Sequence, residues 1–195
     1  MAADEQGVQR ISAREAMQRA PRADYLPAEI RHLAAEDRPL NIGDGATSSQ
    51  PRTVRTMLEL LDVRAGHKVL DVGSGSGWTT AILAHLVGPT GSVLAVELIE
   101  RLVRESAARL EEAGLTHTEV RVARPGVLGA PDEAPFERIL VSAEARETPL
   151  ELVDQLADGG LMVVPVRDRM AVVSRRGDAH DVTYAPGRYR FVPLR

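Results

Sequence analysis

The spacing of apolar residues changes period several times along the chain, and each change predicts a new element. Helical spacing over residues 8–20 predicts a short helix that stops at Pro21, because proline lacks an N–H and crowds the preceding turn. Pro27 opens a second short helix, running to residue 35. Residues 38–51 are rich in Pro, Gly, Thr and Ser and read as one long loop, a length that tends to be functional in a compact domain. Val54, Met57, Leu58 and Leu61 then fall on one helical face, predicting a helix over 51–61. From there short β-type runs alternate with helical stretches: strands at 68–72, 92–97, 119–123 and 136–142, with helices at 79–86, 98–113 and 150–157. Gly114 stops the second of these helices, and Asp158-Gly159-Gly160 the third. Residues 161–166 and 170–174 read as two further strands, and 189–192 as the last. Strands alternating with helices imply βαβ units. The expected fold is therefore a doubly wound α/β domain, with a mostly parallel Rossmann-like sheet of about seven strands and helices on both faces. The 195 residues fit one domain, 1–195, with the N-terminal helices and long loop in 1–50 and the sheet-bearing core in 51–195.

Composition narrows the chemistry. Hydrophobic residues make up 44% and charged residues 27%, as in an ordinary globular protein, but aromatics only 3%, so Ala, Val, Leu and Ile must build the core. The net charge is −4, with arginines interleaved among Glu and Asp, which argues against a nucleic-acid partner. With no cysteine there are no disulfides, thiolate nucleophiles or Cys-based zinc sites, and the five histidines show no metal-ligand spacing, so no metal site is expected. The polar, acidic start Met1 to Gly7 lacks a signal core, and no apolar run reaches the ~18–20 residues of a membrane span. A cytoplasmic protein without membrane association, and a monomer, is expected.

The run Asp71-Val72-Gly73-Ser74-Gly75-Ser76-Gly77 lies between a predicted strand and a predicted helix. In doubly wound folds, ligands bind at such carboxyl ends of strands, and glycines let the backbone approach them. A dinucleotide fingerprint would put its third glycine at position 78, which is Trp78, an indole poorly suited to cradling a pyrophosphate. The tighter Gly73-x-Gly75-x-Gly77 spacing, with an acid two residues before Gly73, resembles class I S-adenosylmethionine methyltransferases. That resemblance puts Asp71 near the methionine amino group of the cofactor and assigns Gly73, Ser74, Gly75 and Gly77 to cofactor binding. Glu97 ends the next strand, 20 residues after Gly77, where its carboxylate can accept from both ribose hydroxyls. NAD binding uses a ribose acid too and remains the competing reading of this loop.

Outside the loop, Tyr25-Leu26-Pro27, the block Ile42-Gly43-Asp44-Gly45-Ala46-Thr47-Ser48-Ser49-Gln50-Pro51, Ala134-Pro135-Phe136, Gln155-Leu156 with Gly159-Gly160, and the ending Phe191-Val192-Pro193-Leu194 occur in order. This set resembles the protein-L-isoaspartate O-methyltransferases over nearly the whole chain. The resemblance implies S-adenosylmethionine as methyl donor and an isoaspartyl protein or peptide as acceptor. The ester formed on the isoaspartyl α-carboxylate cyclises to a succinimide, which hydrolyses partly to normal aspartate. It also implies Ser49 as the active-site residue and Ile42, Thr47 and Val192 as contacts of the isoaspartyl peptide. Capping of the helix near Pro51 is the other use for Thr47, Ser48 and Ser49. The chain departs from the family pattern at Ala35, Asp44, Ala46, Arg52, Glu144 and Asp71, and Arg124-Pro125-Gly126 stands where the family has Gly-Asp-Gly, whose Asp accepts from the adenine amino group. The alternatives are a carboxyl methyltransferase for a dedicated aspartyl peptide or small acceptor, and a catalytically weak cofactor-binding paralogue.

Overall fold

A computed structural model describes residues 11–195. Five parallel strands form its centre, with β3, β4 and β6 the most buried: β3 (Lys68–Val72), β4 (Ser92–Glu97), β5 (Thr118–Val122), β6 (Phe136–Val141) and β7 (Leu156–Val166). With β8 (Arg169–Arg176) and β9 (Ala179–Tyr184) they make a seven-stranded sheet in the order β5-β4-β3-β6-β7-β8-β9. The first five strands run parallel, and β8 is antiparallel to both of its neighbours. The switch in chain direction falls at β3, so the carboxyl ends of β3 and its neighbours define the ligand edge.

Side-chain alternation along β3 sets its two faces. Val69 joins a core with helices α1 (Ala13–Arg19), α2 (Pro51–Leu61) and α3 (Trp78–Val87), together with Leu110 of α4 (Glu100–Glu112). Leu70 and Val72 point the other way, towards Phe136, Leu152 and Leu156. That second face has thinner cover, from the four-residue α5 (Leu150–Val153) and the irregular chain around the 3-10 turn Pro131–Glu133. α3 is buried almost all round, which suits a helix wedged between the sheet and α1.

Several sequence expectations change. The first helix begins after Ser12, whose hydroxyl accepts from Glu15 N–H while Glu15 accepts from Ser12 N–H, a reciprocal cap; residues 8–10 of the expected helix lie outside the described residues. The second helix is two 3-10 turns, Arg22–Tyr25 and Ala28–Leu33. The expected long loop at 38–51 is instead a β-hairpin, β1 (Leu40–Gly43) and β2 (Ala46–Ser48), closed by Asp44-Gly45 with both residues at positive φ (52° and 77°). That is the two-residue geometry Asp-Gly favours in a twisted hairpin. The helix expected over 150–157 stops at Val153, because Leu156 pairs with Phe136 and draws the chain into β7, which carries Gly159 and Gly160 inside it. Residues 189–192 do not form the last strand; β9 takes the sheet edge instead, and the tail crosses to pair with Glu144.

Candidate active site

The glycine loop sits at the end of β3, with Gly73, Gly75 and Gly77 at φ 76°, 56° and 86°, conformations that side chains with a Cβ rarely adopt. Their surroundings differ. A Cβ at Gly77 would lie 2.8 Å from Ser106 Cβ, so this glycine lets α4 pack closely; one at Gly75 would lie 3.4 Å from Ile42 Cδ1 of the hairpin. Trp78 points away from the loop: its ring is buried, and Nε1 donates to the Ala20 carbonyl at 2.9 Å.

Two carboxylates flank the loop. Asp71 shares the face of Val69 and therefore meets α3, where its Oδ2 accepts from Thr79 Oγ1 and Thr80 Oγ1, both at 2.8 Å. It is fully buried, and burial pushes its carboxyl up to about 6, against the two threonine bonds and with Glu97 adding repulsion. Its Oδ1 and the Ser74 hydroxyl are buried with no hydrogen-bond partner among the described residues. Such orphans are rare and call for a ligand or water. Glu97 ends β4; Oε2 accepts from Gly75 N–H at 2.9 Å and Oε1 from Ile99 N–H at 3.0 Å. Each oxygen retains a second acceptor position.

The hairpin closes over this loop from one side, with Ile42 buried between them. Two arginines that the sequence reading did not single out hold it there. Arg22, 6% exposed, donates to five main-chain carbonyls, those of Ala34, Glu36, Arg38, Ser48 and Ser49, and through Nε to Ser48 Oγ. Its guanidinium also lies 5.4 Å from the Trp78 ring centroid. Burial brings it down to about 10, which leaves it charged at neutral pH. Arg101 on α4 donates to Asp44 Oδ2, Glu105 Oε1 and the Ile42 carbonyl.

Ser49 follows β2 and is half-buried, and its hydroxyl makes no hydrogen bond among the described residues. The capping use is gone: Gln50 is the residue before α2 and gives no side-chain cap. Asp37 Oδ1 accepts from Arg52 N–H at 2.9 Å, so a carboxylate fifteen residues upstream satisfies the helix start. Thr47 is exposed on the hairpin, across from Asn41. On the far side of the glycine loop, Ser142 and Ala143 pack within 4 Å of a Cβ built on Gly73. The next residue, Glu144, donates its N–H to the Val192 carbonyl at 2.7 Å and accepts from Leu194 N–H at 2.8 Å. Ile42 thus meets the loop at Gly75, and Val192 is tied to Glu144, the residue after Ala143 beside Gly73. Arg124, Pro125 and Gly126 are exposed after β5, and Arg124 pairs with Asp132 at 2.7 Å.

Comparison with known proteins agrees with this arrangement. The family model described as protein-L-isoaspartate(D-aspartate) O-methyltransferase matches residues 2–195. A protein-L-isoaspartate O-methyltransferase from Methanothrix thermoacetophila is 43% identical over 187 residues, covering 91% of this chain and 89% of the relative. One from Methanopyrus kandleri is 42% identical over 184 residues, covering 92% and 81%. One from Aeropyrum pernix is 49% identical over 152 residues, 78% of this chain, and the chain spans only 58% of that relative's length. A solved protein-L-isoaspartate O-methyltransferase superposes with a TM-score of 0.84 at 25% identity, over 93% of this chain and 60% of the other. The structure from Plasmodium falciparum, in complex with S-adenosyl-L-homocysteine, has the same fold (TM-score 0.82, 22% identity, 96% and 92% covered). The chain belongs to the protein-L-isoaspartate(D-aspartate) O-methyltransferase family.

Proposed function

We propose that the protein transfers a methyl group from S-adenosylmethionine to the α-carboxylate of L-isoaspartyl residues in proteins or peptides, as the names of its relatives describe. The observation that carries this reading is the closure of the Ser49-bearing hairpin over the glycine loop, which brings Ile42 against Gly75. The residues fit the donor. Asp71 Oδ1 is a buried acceptor without a donor among the described residues, matched to the methionine ammonium; the Ser74 hydroxyl in the loop is a second orphan; Glu97 keeps acceptor capacity for two ribose hydroxyls. Gly73 and Gly75 leave the backbone open to a close approach, while Gly77 serves helix packing.

When bound, the cofactor supplies a methyl group on a positively charged sulfur. The acceptor carboxylate is already ionised at neutral pH, so the chain need not remove a proton from it. That suits a chain without cysteine. The Ser49 hydroxyl donates to one acceptor oxygen and aims the other, while Ile42 keeps water out and the main chain near Ile42, Thr47 and Val192 holds the peptide. Rate then comes from alignment and water exclusion.

The test is methyl transfer to an isoaspartyl peptide beside its normal aspartyl counterpart, with wild type and Ser49→Ala. The expected outcome is transfer to the isoaspartyl peptide alone. Ser49→Ala should lower turnover on the order of tenfold or more, about 1.4 kcal/mol of lost alignment, with unchanged S-adenosylhomocysteine affinity. Transfer to the aspartyl peptide in preference to the isoaspartyl one would instead favour a dedicated aspartyl acceptor.

A further inference from the structure

Beside the acceptor side of the site lies a second concavity that the proposed reaction does not use. A groove of about 520 Å³ is lined by Arg146, Glu147, Thr148, Val166, Arg167, Asp168, Arg169 and Tyr184. Its walls come from one small ladder. Glu144 pairs with the tail at Pro193, and Ala145 pairs with Val166 at the end of β7. Ala145 N–H donates to the Pro165 carbonyl, and Arg167 N–H to the Ala145 carbonyl, both at 2.8 Å. The groove therefore opens on the same sheet edge as the glycine loop, with β6 between β7 and β3. Two strand spacings are roughly 10 Å, about three residues of extended peptide.

The charge of this corner runs against the rest of the chain. Around the groove Arg146, Arg167, Arg169 and Arg188 outnumber Glu147 and Asp168, although the whole chain carries −4. Within the groove, Asp168 is already matched by Arg188. Arg169 stacks on Tyr184, with 4.4 Å between guanidinium carbon and ring centroid, so the aromatic face is covered by a cation and closed to a stacked base. Arg146 is exposed, and its side chain has no partner among the described residues. Arg167 sits at φ 55° in the two-residue turn between β7 and β8, where Gly or Asn would be relaxed. Its Nε donates to the Arg146 carbonyl at 3.2 Å, which ties the turn to the 146–148 wall of the groove.

We infer that this groove is a subsite for acidic side chains of the acceptor polypeptide, two to four residues from the methylated isoaspartyl. The inference rests on the proposed acceptor class and narrows it to peptides with acidic flanks. Exposed arginines attract such a segment through water, so the preference depends on ionic strength.

The experiment compares kcat/KM for matched isoaspartyl peptides with Glu or Lys three residues to either side of the isoaspartyl. At about 50 mM salt, wild type should favour a Glu peptide by about three- to tenfold, the effect of one or two exposed charge pairs, and high salt should erase the difference. Arg146→Glu combined with Arg169→Glu should abolish or invert the preference, through KM rather than kcat, while S-adenosylhomocysteine affinity reports an intact fold. Equal kcat/KM for the Glu and Lys peptides in wild type, or a preference unchanged by the double substitution, would overturn the subsite. Failure to methylate either peptide despite S-adenosylhomocysteine binding is a separate result; it would overturn the isoaspartyl reading itself, and the subsite with it.

Discussion

The donor and acceptor sides of the cleft are built by different means. The donor side is local: Asp71, the glycine loop and Glu97 all fall between residues 71 and 97, on adjacent parallel strands whose pairing fixes them. Its carboxylates are buried, and the Glu97–Gly75 bond ties loop to strand directly. The acceptor side is assembled from residues 40–49, 142–144 and 192–194, which no shared strand holds together. Arg22 stands in for that missing framework. Its donors reach from the 34–38 segment to Ser48 and Ser49, and Arg101 ties the hairpin to α4 from outside. Donor recognition can thus rest on the sheet itself, while the acceptor side can vary its loops without disturbing it.

The largest effect that separates the two sides should come from Arg22. Its bonds are charge-assisted and buried or part-buried, each worth about 1.5–3 kcal/mol but not additive within one network. Arg22→Ala is expected to cost about 3–5 kcal/mol, since it leaves the buried Ser48 carbonyl and four partly buried ones without their donor at once. Chemical denaturation measures the loss, and calorimetry on the folded protein should show S-adenosylhomocysteine affinity retained. Arg22→Lys restores the charge but not the planar fork, so it should recover stability in part and turnover less. A loss of donor affinity equal to the loss of turnover would end the separation between the two sides.

Glu97→Ala probes the donor side with a smaller expected effect. Removing acceptors for two ribose hydroxyls should weaken S-adenosylhomocysteine by about 1–3 kcal/mol by calorimetry. It also frees the N–H groups of Gly75 and Ile99, so Glu97→Gln is the companion variant that keeps an acceptor for one of them. Preferential binding of NAD by the wild-type protein would instead restore the dinucleotide reading of the loop.

The same contrast explains what was legible in the sequence. The juxtaposition of Asp71, the glycine loop and Glu97 could be read from one motif and one strand-end carboxylate because strand, loop and helix follow each other directly. The Asp44-Gly45 hairpin was also written locally, but the Gly, Pro and Ser around it read as loop, and β1 has only Leu40 and Ile42 to mark alternation. β9 escaped for a related reason. Its residues are exposed or half-buried, so periodicity has nothing to register, and only the two-residue Gly177-Asp178 turn announces it. Arg22 was invisible because its partners lie 12 to 27 residues away. The helix cap supplied by Asp37 across fifteen residues could not be read for the same reason, and it is what releases Ser49 from capping.

Asp71 gives the smallest and most diagnostic prediction, because it joins donor binding to pH. It is buried against Thr79 and Thr80 of α3, with Glu97 as the charged neighbour on β4, and burial raises its carboxyl to about 6. An acid whose folded value lies above its unfolded value of about 3.9 adds stability that is fully present below that unfolded value. This contribution is lost as pH rises through about 6, leaving an unpaired buried anion in the ligand-free protein. An ammonium set against Oδ1 reverses the balance, because the anion then gains its missing partner. S-adenosylhomocysteine affinity should therefore fall below pH 6, by at most about tenfold per pH unit, and binding there should release a proton. Asp71→Asn should bind more weakly at pH 7.5 and lose this dependence near pH 6. In the ligand-free state its melting temperature relative to wild type should rise between pH 4.5 and pH 7, as wild type takes on the buried charge. Calorimetry in buffers of different ionisation enthalpy counts the proton. Affinity that stays flat from pH 7.5 to pH 5 would remove Asp71 from the ammonium contact and leave it a structural partner of the two threonines.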